Sequence, residues 1–195
     1  MPVLELDPVT RLTADAVGSP GNRTFFLQAA SGIDQVTLLV EKEQVRLLAE
    51  RLTAWLPELA ELKPEDPTEA AEAASTTLDL QEPLVPAFRV GQLSLSYDPE
   101  RDRILVVAEE VLAGEDDEPE AGAGGEGGVG GERAVDDPRQ VRMVVTRPQL
   151  RILAERGAAV VAKGRPECPL CGNPIDPQGH TCPAQNGHRP FSSRS

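Results

Sequence analysis

The sequence predicts an α+β protein in which duplicated β-β-β-α units form a mainly antiparallel sheet with helices on one face, followed by a small C-terminal segment rich in metal-ligand residues. Three observations carry that reading. Hydrophobic residues are 39% of the 195 but aromatic residues only 3%, so one modest core must be filled by aliphatic side chains. A twenty-residue stretch, Gln35–Ala54, recurs at Gln140–Ala159 with a constant offset of 105 and ten identities. All three cysteines and both histidines fall within 21 residues near the C-terminus.

The first unit spans residues 1–56. Val9 to Val17 reads as a strand, a Gly-Ser-Pro-Gly-Asn turn follows, and Arg23 to Ala29 reads as a second strand. A short turn at Ala30–Asp34 leads to a β-rich run ending at Val40, after which Val45, Leu48 and Leu52 take up helical spacing. Residues 57–86 form a connector, where five prolines surround the Ala- and acid-rich Glu69–Ser75, a candidate short helix.

The second unit, 87–162, repeats the order. Phe88 to Tyr97, an Asp-Pro-Glu-Arg-Asp turn and Arg103 to Val111 answer the first two strands. Between the second strand and the third lies an insertion, 114–138, holding nine acids against Arg133 alone and eight glycines. It offers too little apolar surface to offset its ordering entropy and reads as a disordered acidic loop. An insertion at a hairpin tip costs little, because loop-closure entropy grows logarithmically. Gln140–Val145 is then the third strand. Thr146 with Gln149, and Pro148 in the first turn, start a helix carrying Leu150, Leu153 and Ala154. Two such units pair about a pseudo-twofold axis.

The repeat carries no evident chemistry. Arg46 and Glu50 stand four residues apart, as do Arg151 and Glu155, which predicts surface ion pairs of about 0.2–0.5 kcal/mol. Arg51 and Arg156 read as solvated charges, and Trp55 as a packing anchor.

Residues 163–195 are the chemistry-bearing tail. Cys168-Pro-Leu-Cys171-Gly172 has the spacing of a zinc knuckle, in which amides after the first cysteine turn toward its thiolate and glycine accepts the tight geometry. Cys182 supplies a third thiolate, and the fourth ligand is His180 or His188. An odd number of cysteines and a CxxC turn argue against a disulfide framework. Four protein ligands close the site and make it structural, and no glutamate stands beside the histidines to act as a base. Leu170, Ile175 and Phe191 are the only bulky apolar residues of the tail, so metal binding must supply its folding energy.

The stretches Leu6–Gly18, Pro20–Ala29 and Leu39–Val45, with the Cys-Pro-Leu-Cys-Gly and Gly-His-Thr-Cys-Pro tail, resemble the actinobacterial family catalogued as domain of unknown function 3090. The resemblance covers nearly the whole chain. It implies a bacterial cytosolic protein with a zinc-ribbon-like tail and implies nothing about a reaction. The family's usual ending places a tyrosine at the position of His188, so the resemblance favours His180 as the ligand.

The net charge of −13 is concentrated in the acidic insertion, and the tail is slightly basic. No apolar run approaches the roughly 20 residues needed to cross a bilayer, and no leader follows Met1, so the expectation is a cytoplasmic protein with no membrane partner. There is no Walker loop, no GxGxxG between strand and helix, no GxSxG elbow and no upstream histidine. The expected function is a non-catalytic interaction or scaffold module with a structural zinc ion and a protein partner. Two alternatives stand beside it: a small-ligand enzyme or accessory subunit with a cleft between the repeats, and weak nucleic-acid binding through the ribbon. Four basic tail residues and few stacking aromatics argue against the latter.

Overall fold

The computed structural model describes residues 3–111, 138–164, 168–173, 175 and 179–185. Seven strands and three α-helices follow in the order β1 (Val3–Leu6), β2 (Arg11–Ser19), β3 (Asn22–Ser31), β4 (Asp34–Val40), α1 (Lys42–Leu62), α2 (Pro67–Ser75), β5 (Val90–Asp98), β6 (Arg103–Glu110), β7 (Gln140–Val145) and α3 (Arg147–Ala162), with a 3₁₀ turn at Pro183–Gln185. The acidic insertion expected at 114–138 lies, but for Pro138, outside the described residues, as does His188.

Each half folds as three antiparallel strands followed by a helix, the α+β order read from the sequence. The strands divide between two sheets, one of order β2-β3-β4 and one of order β1-β7-β6-β5. β1 was not foreseen: four residues carry too little pattern to be read, and it is specified by parallel pairing with β7, Leu4 opposite Val141 and Leu6 opposite Met143. The second sheet is therefore mixed. α1 runs through Pro57 to Leu62, past the 56/57 boundary expected from that proline. Pro57 lacks the amide that would bond Thr53, yet Leu56 and Leu59 on either side are buried, and their packing holds the last turns. α2 forms where the Ala- and acid-rich stretch predicts it, capped by Asp66.

The halves are stitched by equivalent bonds at the 105-residue offset. Gln44 and Gln149 occupy the same helix position, and each closes a capping box with the residue before its helix, Glu41 or Thr146. The side-chain amide of Gln44 then reaches the carbonyl of Val90 (3.0 Å), and that of Gln149 reaches Val9 (2.8 Å), each in the opposite half. Leu39 and Val144 are likewise equivalent: the Leu39 amide donates to Phe88 (3.0 Å), and the Val144 carbonyl accepts from Val9 (3.0 Å). These bonds join the two sheets at both corners around one core, where Leu12, Leu27 and Leu38 meet Ile104, Val106 and Met143 beneath Leu52, Leu150 and Leu153. The helices touch at Gly157, where a Cβ would sit 3.2 Å from Val45 Cγ1. Trp55 packs half-buried against the core.

Of the repeated charges, Arg46 pairs with Glu50 as the spacing predicts, and also with Glu43. Arg151 instead pairs with Glu65 (2.7 Å), because the loop after α1 brings a carboxylate closer than its own helix does. Arg156 is not a solvated charge: it is half-buried against Asp15 of β2 and Asp79 of the connector. Sequence spacing sees only neighbours on one helix.

One further arginine joins the halves. Arg147, at the first position of α3, is 1% exposed and donates to the carbonyls of Leu59 (3.3 Å), Lys63 (2.8 Å) and Pro64 (3.1 Å) and to Asp102 Oδ2 (2.8 Å). It caps the end of α1 with a cation, the sign the helix dipole favours there. Asp102, at φ +52° in the β5–β6 turn, also accepts from the Tyr97 hydroxyl (2.8 Å). Burial alone would raise the Asp102 pKa; hydrogen bonds from Arg147 and Tyr97, with the charges of Arg147 and Lys63, outweigh it and hold the carboxyl below its ordinary value.

Candidate metal centre

Beyond α3 the chain turns back on itself at the CxxC. The Gly172 amide donates to the Cys168 carbonyl (2.8 Å) and the Cys168 amide to the Asn173 carbonyl (2.8 Å), which closes the loop. Gly172 sits at φ +73°, the left-handed region glycine enters at no steric cost. The knuckle expected from the sequence is thus formed by main-chain bonds and needs no core of its own.

Its amides face sulfur. Backbone N–H groups of Leu170 and Cys171 donate to the Cys168 sulfur, and with nearby thiols they bring its pKa down to about 7 against the opposing effect of burial. Cys171 receives the Asn173 amide, which favours its thiolate, but burial and the adjoining Cys182 and Cys168 push it up. Two thiolates in contact repel, and a cation between them removes that repulsion.

Cys168, Cys171, His180 and Cys182 come together, with one ligand atom from each lying within 4.8 Å of all the others. Cys168 and Cys182 are buried, while Cys171 and His180 are half-buried. The Cys168 and Cys182 sulfurs are 3.8 Å apart, and Cys171 Sγ lies 3.3 Å from His180 Nε2. A disulfide requires about 2.05 Å, and the three thiols are free. A tetrahedral ion with metal–sulfur bonds of about 2.3 Å and metal–nitrogen bonds of about 2.05 Å has edges of about 3.8 Å and 3.6 Å. The Cys168–Cys182 separation equals such an edge, the Cys171–His180 separation is about 0.3 Å shorter than one, and all four ligand atoms lie within 4.8 Å, so this donor set is able to hold a metal ion after small side-chain shifts. Of the two candidate histidines, His180 joins the sulfurs, and His188 lies outside the described residues.

The small-ligand alternative expected a cleft between the repeats, but the sequence could not name its lining, which is scattered along the chain. A cavity of about 470 Å³ opens where the halves meet the root of the tail, lined by Arg23, Phe25, Glu41, Lys42, Arg89 and Gly164. Arg89 pairs there with Glu41 (2.7 Å), and Arg23 donates to the Val160 carbonyl (3.3 Å) and to that of Lys163 at the end of α3. Between α1 and α3 runs a shallow apolar groove floored by Ala49, Ala54, Ala158 and Ala162. No helix among the described residues is long and apolar enough to cross a membrane.

Fold and site together define an α+β protein of two strand-and-helix units carrying an appended Cys₃His cluster able to hold a metal ion. The chain belongs to the family described as "Protein of unknown function (DUF3090)", whose model matches residues 4–182 and so includes all four cluster residues. Neither a curated protein nor a solved structure matches the chain.

Proposed function

We propose that Cys168, Cys171, His180 and Cys182 bind a structural zinc ion, and that the protein is a cytoplasmic, non-catalytic interaction module whose zinc-ordered tail engages a protein partner. The observation that carries the reading is the closeness of the four ligand atoms, all within 4.8 Å. Four protein ligands fill a tetrahedral shell and leave no position for a reactive water. Zinc suits the donors, since mixed thiolate and imidazole sets with these spacings are characteristic of it. The ion would cross-link a CxxC turn to a second turn some ten residues on, in a segment with little to bury. Leu170, 60% exposed at the tip of the knuckle, is then an apolar group held out to solvent on a rigid turn.

The test is metal content and ligand replacement in the full chain. About one equivalent of zinc is expected, retained in His188→Ala and lost in His180→Ala or Cys171→Ser. Cobalt substitution should give the intense visible bands of a tetrahedral thiolate site. Less than about a tenth of an equivalent after growth in zinc ends the zinc reading. For the interaction, a binding partner should be captured by the intact chain and released by chelator or by Cys171→Ser.

A second reading has its own observation. The 470 Å³ cavity lies in the range of small-ligand sites and is lined by charges from both halves, as an accessory subunit or enzyme would require. Ligand screening with Lys42→Ala and Arg89→Ala as controls separates it from the docking reading, because neither residue belongs to the cluster.

A further inference from the structure

The two faces of the first sheet are built differently. Leu12, Ala14, Leu27, Ala29, Val36 and Leu38 form the inner, apolar face. On the outer face, Thr13 stands opposite Gln28 and Gln28 opposite Thr37, with Arg11 at the strand's start. These four polar side chains are 0%, 0%, 4% and 6% exposed in that order, as deeply buried as the core. What buries them is the connector after α2, residues 76–87. No side chain of that strap is itself buried.

Main-chain groups hold the strap down. Thr13 donates its hydroxyl to the Leu78 carbonyl, and Arg11 donates to the Asp79 carbonyl (3.1 Å). Gln28 takes both groups of one residue, donating to the Gln81 carbonyl (2.8 Å) and accepting its amide (2.9 Å), as a neighbouring strand would. The side chain used is Asp79, whose 83%-exposed carboxylate receives Arg156 (3.3 Å). Among the described residues, Arg11 has no carboxylate partner, and its Nε has no partner at all.

Such a face takes an extended backbone with an acid on it, and the strap's Leu78, Leu80 and Leu84 lie half-buried as it crosses. Lifting the strap hydrates the hydroxyl, amide and guanidinium groups of a face that also carries Ala30 and Phe26, and it breaks no rung of the β2–β3–β4 ladder, so opening needs no unfolding of the sheet. We propose that the outer face of β2–β4 is a receptor for an extended acidic peptide of a partner protein, and that residues 76–82 occupy it in cis. The strap shows what fits: carbonyls at three of four consecutive residues and a carboxylate between the first and the last. Its cis position competes at an effective concentration in the millimolar range, so a partner gains access in proportion to the open fraction. The site uses no cluster residue, so its test is independent of metal.

The probe is a labelled peptide of sequence 76–87 (Thr-Thr-Leu-Asp-Leu-Gln-Glu-Pro-Leu-Val-Pro-Ala) added to the full chain and to the double variant Asp79→Lys/Gln81→Pro. Both positions are exposed, so the core is untouched, while the variant's strap loses its carboxylate and the amide that Gln28 accepts. The variant should bind the peptide about tenfold more tightly than the wild type, and a scrambled peptide should bind neither. Native-state hydrogen exchange of the wild type gives a second reading: the Gln81 amide should exchange about a hundredfold faster than the amides of central strand β3. Equal affinity of both proteins, equal binding of the scrambled peptide, or Gln81 exchange as slow as that of β3 would overturn the proposal.

Discussion

Replacing Arg147 by methionine keeps the side chain's length and apolar stem and deletes its five donors. The loss can be worked from the geometry. Three main-chain carbonyls at the end of α1 and in the following loop, those of Leu59, Lys63 and Pro64, lose a charged donor, and the Asp102 carboxylate loses its 2.8 Å partner. The Asp102 side chain is 13% exposed and, among the described residues, keeps only the Tyr97 hydroxyl and Lys63 at 3.8 Å. Breaking a buried ion pair from one side costs about 3–5 kcal/mol, mostly for the charge left behind. With a urea m-value of about 2 kcal/mol/M, the unfolding midpoint should fall by about 1.5–2.5 M. The pH dependence has a fixed sign. Asp102 has a lowered pKa in the fold, so its stabilisation is present above the unfolded carboxylate value near 3.9 and fades as pH falls through the folded value. Wild type and variant should therefore differ most at pH 7, and the gap should narrow in acid to what the three carbonyl bonds contribute. The companion Arg147→Met/Asp102→Asn should recover part of the loss, since the stranded charge is gone. A penalty under about 1 kcal/mol at pH 7, or one independent of pH, refutes the idea that Arg147, held by Asp102, ties the start of α3 to the end of α1.

Three other perturbations probe the same physics. Gly157→Val forces a branched side chain into the 3.2 Å approach at Val45 and should cost about 1–3 kcal/mol, read as a fall of several degrees in Tm. Gln44→Ala and Gln149→Ala each remove a capping bond and a bond to the other half, at about 1 kcal/mol apiece; they stand in different helices, so the double variant should be additive within about 0.5 kcal/mol by urea titration. Chelation should disorder residues 168–185 in amide NMR spectra while the strand and helix resonances of the body stay in place, because the body has its own core and the tail does not.

Much of this molecule is written locally. The CxxC with its glycine and the Thr146–Gln149 box are patterns of near neighbours, and each forms its turn or cap where the pattern predicts it, whereas spacing left the fourth ligand open between His180 and His188 and the fold brings His180 to the sulfurs. The order of three strands and a helix in each half is legible for the same reason, since side-chain period reports which face of an element meets the core. Four things were decided only by the closing of the chain. β1 has no pattern of its own and exists because β7 offers it an edge. Arg147, Arg151 and Arg156 find carboxylates or carbonyls far along the sequence, a choice that spacing along a helix cannot encode. The strands share two sheets rather than one because bonds at Leu39 and Val9 join them at corners. Polar side chains on the outer face of the first sheet became interior because a connector with no fully buried residue lies across them. Local composition sets what each element prefers to bury, and only the fold sets which partner arrives to bury it.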